Sequence, residues 1–88
     1  MEIYYHANFL KNYRKRISSN QKLIKMVKKK VSLFLKNPSH SLLKDHSLKG
    51  KRKEQRAFWI TGDYRIVYQK ISPSKALFLN IDTHNQVY

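Results

Sequence analysis

The chain has 88 residues, which suits one domain spanning 1–88 and leaves little core for elaborate internal sites, so a working site is expected in a surface groove. It has no cysteine, which excludes disulfides, thiolate nucleophiles and zinc-thiolate centres, and no apolar run nears the roughly 20 residues that cross a bilayer; a soluble cytoplasmic protein without a leader is expected. Nineteen Lys+Arg against five Asp+Glu give a net charge of +14, a self-repulsion that costs stability and points to a polyanionic partner, with nucleic acid ahead of anionic lipid.

In chain order, "EIYY" (2–5) reads as a short first strand. Phe9, Leu10, Tyr13 and Ile17 then fall on one face of a helix. "SSN" (18–20) supplies turn and N-cap residues for a second helix, whose apolar stripe is Leu23, Ile24, Val27, Val31, Phe34 and Leu35 and which Asn37-Pro38 stops. Its lysines, Lys22, Lys25, Lys28, Lys29, Lys30 and Lys36, are expected mostly on the other sides as a solvated back; a membrane-surface or calmodulin-type helix is the competing reading, disfavoured because so small a domain needs the stripe for its core. Residues 39–56 turn polar, with Leu42 and Leu43 expected to dock on the core and "LKGKRK" to form a basic loop.

After residue 56 the period becomes extended. "AFWI", "YRIVYQKI" and "ALFLNI" are β runs joined by the turns "TGD" and "SPSK". The expected fold is α+β: two N-terminal helices on one face of a small antiparallel β-meander, with the short strand at the start. Strict alternation turns Ile66, Tyr68, Leu77, Leu79 and Ile81 towards the helices and Arg65, Val67, Gln69, Phe78, Asn80 and Asp82 away from them. The open face then carries Arg65 in its middle, with the loop cations and the C-terminal tail at its rim. That is a groove suited to a single strand of nucleic acid.

Without cysteine, a Gly-rich phosphate loop or a Ser-centred elbow, the groups left for chemistry are imidazole, carboxylate, guanidinium and phenol. RNA cleavage suits that set, because the substrate brings its own nucleophile, the 2′-hydroxyl. Histidine serves either proton step, and the planar fork of arginine holds phosphate oxygens as charge grows on phosphorus. The four histidines lack the close spacings of a metal site, so neither metal nor other cofactor is expected.

"DHSLKG" (45–50), "ITGDYRIVY" (60–68) and "DTHNQVY" (82–88), following a helical half that ends in "FLKNP" (34–38), resemble the RelE/ParE superfamily of bacterial toxins, and most of all its YafQ-like and RelE/StbE-like mRNA interferases. The resemblance spans nearly the whole chain and rests on three pieces in order. It implies a ribosome-dependent, metal-independent endoribonuclease that cuts mRNA in the A site and is held inactive by an acidic antitoxin in a hetero-oligomeric complex. Residue by residue, it makes His46 a base or part of the proton network, acting at the 2′-hydroxyl together with Asp63, the aspartate before the third strand, and it makes Arg65 the phosphate-binding arginine. His84 becomes the C-terminal catalytic histidine, the general acid towards the 5′-oxygen, and Tyr88 the terminal aromatic that positions a base. Lys49, Lys51, Arg52, Lys53 and Arg56 are expected to grip RNA phosphates, and Trp59 is weighed as core residue or stacking platform.

Two departures matter: Trp59 stands where YafQ-like proteins carry another histidine, and Asn80 where they carry an arginine. "IDTH" also brings Asp82 close to His84 in sequence, where two readings stand: a carboxylate that orients the ring or raises its pKa, and, slightly ahead of it, a surface acid. Each functional reading has a plainer counterpart: His46 as a loop bridge, Asp63 as turn chemistry, the whole fold as a basic RNA- or antitoxin-binding module without catalysis. A ParE-like gyrase inhibitor is disfavoured by His46 and His84 together.

Overall fold

The structure is a computed structural model; it describes residues 1–83, except for the side chain of Lys51. The elements are β1 (Glu2–Tyr5), α1 (Ala7–Asn12), which widens into a π turn over Tyr13–Ile17, α2 (Gln21–Lys36), β2 (His46–Ser47), β3 (Gln55–Thr61), β4 (Tyr64–Ser72) and β5 (Lys75–Thr83), with single 3₁₀ turns at Ser41–Leu43 and Gly50–Arg52. Asn20 caps α2 as its spacing predicts, its Oδ1 accepting from Leu23 N–H at 3.1 Å, and the helix ends at Lys36 ahead of Asn37-Pro38. None of the helices is long and apolar enough to cross a membrane.

The sheet runs β1-β5-β4-β3-β2. Strands β3, β4 and β5 form the expected meander on two-residue connections, Gly62 supplying the positive φ of 54° that its hairpin needs. The expected first strand is present, but it joins β5 in parallel, so the sheet is mixed rather than wholly antiparallel. A crossover connection makes that geometry: α1 and α2 lie between β1 and the meander in sequence and cover one face.

The main core lies between helices and sheet and is largely aromatic. Phe34 from α2 stacks on Phe58 with centroids 4.7 Å apart and meets Tyr68 edge-on at 4.8 Å, while Phe78 closes the cluster against Phe9 and Phe34. Each such buried ring contributes about 1.5–3 kcal/mol. Ile66 and Tyr68 point inward as alternation predicts. On β5 it fails: Ala76, Phe78 and Ile81 face the helices, whereas Leu79 packs on the opposite side with Leu48, Ala57 and Val67. The cause is a bulge. Tyr68 pairs with Phe78 and the adjacent Val67 with Asn80, so Leu79 is an extra residue and the alternation shifts by one.

Three further expectations change. Leu43 is fully buried but Leu42 is 54% exposed, so only one of the pair docks. Asp82 is buried, not a surface acid: Arg16, on the π turn, holds its Nε 2.9 Å from Asp82 Oδ1, a charge contact in which the N–H is not well aimed at the oxygen. Lys30 belongs not to the solvated back of α2 but to its covered side, with 4% of its surface exposed.

Candidate nucleic-acid interface and catalytic face

The face of the sheet away from the helices is built on the small apolar floor of Leu48, Ala57, Val67 and Leu79. Strand register sets polar groups around it. His46 pairs across with Ala57, Ala57 with Val67, and one step along the same strands Trp59 pairs with Arg65 and Arg65 with Asp82. His46 and Arg65 are therefore two strands and two residues apart, roughly 12 Å between Cα atoms at normal ladder spacing, a span that long side chains can close onto one nucleotide.

His46 is exposed, and its Nδ1 lies 2.9 Å from the carbonyl oxygen of Lys44. A carbonyl only accepts, so Nδ1 carries the proton in that contact and Nε2 is the basic nitrogen of the neutral ring. Arg65 folds back on its own turn: Nη1 donates to Gly62 O at 3.2 Å and to Tyr64 O at 3.1 Å. Trp59 Nε1–H donates to the same Gly62 oxygen at 2.8 Å, so one carbonyl ties indole to guanidinium. Arg65 has no carboxylate partner among the described residues and keeps its charge for an outside anion. Asp63 is exposed on the turn two residues before Arg65. The register puts it at the Arg65 end of the hairpin, about five residues along from the His46 row, so it is a neighbour of Arg65 and not of His46.

The cationic loop divides. Lys49 and Lys53 are exposed at the rim, Arg52 Nε donates to Gln55 Oε1 at 3.0 Å, and Lys51 contributes only its backbone to the described turn. Arg56 does not belong to this surface. It pairs with Tyr68 across the strands, on the helix-facing side, and its Nε donates to Asp45 Oδ1 at 2.7 Å, while the Tyr68 hydroxyl donates to Asp45 Oδ2. Burial drives the phenol of Tyr68 far above its ordinary range, the Asp45 carboxylate adds to the rise, and Arg56 takes part of it back. For Arg56, burial pulls downward, but the hydrogen bond and charge of Asp45 outweigh it and leave the guanidinium more firmly protonated.

Sequence reasoning overlooked three residues here. Asp45 was legible only as part of a motif, not as the carboxylate that neutralises Arg56 and accepts from Tyr68. Lys30 was placed with the solvated back of α2 and Lys44 was not singled out, yet Lys30 Nζ lies 4.2 Å and Lys44 Nζ 4.9 Å from the centre of the Trp59 ring. The signal for Lys30 was present in the spacing Val27, Lys30, Phe34, which puts the lysine on the apolar seam. Trp59 is half-buried, neither a full core residue nor an unoccupied platform, since its ring already serves two ammonium groups. Asn80 Oδ1 accepts from Asn12 Nδ2 and from the N–H of Ile81, so the position is used to tie α1 to β5. His84 and Tyr88 lie outside the described residues. Among the described residues no three His, Asp or Glu side chains converge as a metal site would require.

Helices packed on one face of a five-stranded mixed sheet, with the other face left open, are the fold of the RelE-like toxins. Solved structures share it: YafQ from Escherichia coli BL21(DE3) superposes with a TM-score of 0.81 at 21% identity, covering 99% of this chain and 97% of that one. The Escherichia coli DinJ–YafQ complex gives 0.79 at 20% identity, covering 99% and 97%, and a YoeB/ParE toxin from Agrobacterium tumefaciens gives 0.80 at 18%, covering 96% and 99%. No curated protein matches significantly. Residues 1–88 match the family described as "Bacterial toxin of type II toxin-antitoxin system, YafQ", and the chain belongs to that family.

Proposed function

We propose that residues 1–88 act as a single toxin domain that cleaves mRNA on the ribosome without a metal. The observation that supports this reading is a basic imidazole nitrogen on His46 and a guanidinium on Arg65 without a carboxylate partner among the described residues, both on an open face whose floor is apolar. In the proposed reaction His46 takes the proton of the 2′-hydroxyl, and the 2′-oxygen attacks phosphorus. The bond from phosphorus to the 5′-oxygen breaks, leaving a 2′,3′-cyclic phosphate, and His84 protonates the departing oxygen. Arg65 stabilises the charge on the phosphorane, Asp63 acts from the neighbouring turn on the Arg65 side, and Tyr88 positions the adjacent base.

Lys49, Lys51, Arg52 and Lys53 are proposed to hold RNA phosphates at the rim, an electrostatic grip that weakens steeply with salt. A shallow face leaves much of the rate to the ribosome's orientation of the mRNA, so free RNA is expected to be a poor substrate. The partner that silences the toxin is proposed to be an acidic antitoxin in a hetero-oligomeric complex, by analogy with the DinJ–YafQ complex and because a chain of +14 favours a carboxylate-rich surface. The proposed site of action is the cytoplasm.

The test is induced expression of the parent, Arg65→Ala and His84→Ala, followed by growth and primer extension on translated mRNA. Growth arrest and cleavage by the parent, lost in both variants, is the expected result. Equal toxicity of all three removes the catalytic reading. It would favour the second one, a basic RNA- or antitoxin-binding module, which the engagement of Asn80 by Asn12 supports because that position supplies no cation.

A further inference from the structure

Lys30 is the most heavily covered charged side chain among the described residues, at 4% exposure, and its ammonium faces an indole rather than a carboxylate. Lys44, in the turn before β2, reaches the same ring. Two like charges on one ring repel, and burial together with Lys29 and Lys44 makes the Lys30 proton easier to lose. A cation–π contact returns about 0.5–2 kcal/mol, less than a buried ammonium loses in hydration.

Among the described residues no carboxylate pairs with either ammonium. Asp45 follows Lys44 directly in sequence, but its two oxygens are committed to Arg56 and Tyr68 on the helix-facing side. Lys44 is also the only described non-glycine residue with a left-handed backbone, at φ 50°, a conformation unusual for lysine. The fold thus carries a covered lysine, a strained lysine and their mutual repulsion at one place. That place adjoins the proposed catalytic face, because Trp59 is the cross-strand neighbour of Arg65 and shares the Gly62 carbonyl with it.

We propose that Lys44 and Trp59, backed by Lys30, form a second phosphate subsite: exposed Lys44 meets an RNA phosphodiester flanking the one at Arg65, and covered Lys30 adds its charge to the same place from the shared indole. The ligand class is single-stranded RNA backbone. Trp59 is a positioning residue: it acts through the lysines. The proposal rests on the RNA reading above, but not on cleavage, and it explains why a tryptophan can stand where the resemblance expects a histidine. The position is used for holding cations instead of moving a proton.

Trp59 is the sole tryptophan, so its fluorescence reports on this subsite directly. The probe is a fluorescein-labelled oligoribonucleotide with 2′-O-methyl groups throughout, which cannot be cut, titrated against the full chain at several salt concentrations. Tryptophan emission and label anisotropy are expected to saturate together. Lys30→Met is expected to weaken binding about 5- to 10-fold at low salt and to reduce the slope of log affinity against log salt by about 0.7, the share of one cation on a single strand. Lys30→Arg should restore the slope, Trp59→Phe should bind close to the parent, and Trp59→Leu should resemble Lys30→Met. Lys28→Met removes the same charge from an exposed position on α2 and should leave affinity within about twofold.

Thermal melts separate this from a purely structural role. Replacing a covered ammonium by an apolar chain of similar length should leave the melting temperature of Lys30→Met equal to the parent's or higher. An unchanged affinity and salt slope in Lys30→Met, an equal loss in Lys28→Met, or no response of Trp59 emission on binding overturns the subsite. A chain that binds as described yet cuts no mRNA leaves the subsite standing and defeats only the nuclease reading.

Discussion

Arg56 on β3 and Arg65 on β4 stand on adjacent strands and face opposite sides of one sheet, and the protein treats them differently. Arg56 meets a carboxylate that is itself covered, with 8% of the Asp45 side chain exposed, and the Tyr68 hydroxyl completes the cluster. Among the described residues Arg65 meets carbonyl oxygens and no carboxylate, and Lys30 and Lys44 meet an aromatic ring. Carbonyl dipoles and a ring quadrupole orient a cation without cancelling it; a carboxylate cancels it. With five acids in the chain and two of them spent in ion pairs, the neutralised charges belong to the fold's own contacts and the proposed binding draws on the others.

The largest expected effect follows from exchanging those roles. Arg65→Ala should reduce cleavage of translated mRNA about 10²- to 10³-fold, the usual range for removing a donor aimed at developing charge, while the melting temperature stays close to the parent's. Arg65→Lys should recover only part of it, since an ammonium keeps the charge but not the planar fork. Arg56→Ala should do the reverse, with activity near the parent's in the folded protein and a clear loss of stability. Primer extension and thermal melts on the same three variants decide it; loss of cleavage by a stable Arg56→Ala would erase the division between the faces.

Next in size is Asp45→Ala, expected to cost about 2–3 kcal/mol in urea unfolding, because it leaves a guanidinium and a covered phenol without their acceptor. The loss stays below that of a fully enclosed pair because 43% of the Arg56 side chain reaches solvent, and water replaces part of what is removed. Asp45→Asn keeps an acceptor for one partner and should lose less.

What the sequence disclosed follows the range of the forces involved. Asn20 caps α2, Asn37-Pro38 stops it, and Gly62 and Pro73 mark the two hairpin turns, because each acts within a few residues of itself. The faces of β5 were misread because a bulge at Leu79 is imposed from across the sheet, by the demand that Phe78 join Phe34 and Phe58. The parallel pairing of β1 with β5 was hidden for the same reason. Asp45, Arg56 and Tyr68 are spread over 23 positions, and no spacing rule connects them. At the candidate site, alternation already set Arg65 on the open face and motif order pointed to His46, whereas Arg56 could be told from the loop cations only once its strand partner was known.

The smallest effect separates the two faces by the sign of their response to alkali. Lys30 has a lowered pKa because burial, Lys29 and Lys44 all oppose its charge. Folding therefore releases its proton earlier than the unfolded chain does, and its unfavourable contribution, full below the lowered value, fades as pH climbs towards the ordinary lysine range near 10.4. Tyr68 behaves oppositely. Its raised pKa keeps the folded phenol neutral while the unfolded one ionises near pH 10, so its stabilisation is intact below pH 10 and declines as pH rises further. Unfolding free energy measured in urea from pH 8 upward should thus lose its rising component in Lys30→Met and its falling component in Tyr68→Phe. At pH 7 Tyr68→Phe should cost only about 1 kcal/mol, the net worth of one hydrogen bond, and the gap from the parent should close as the solution becomes strongly alkaline. A gap that widens instead would mean that Tyr68 is not held neutral by its surroundings, and the face assigned to stability would lose its clearest mark.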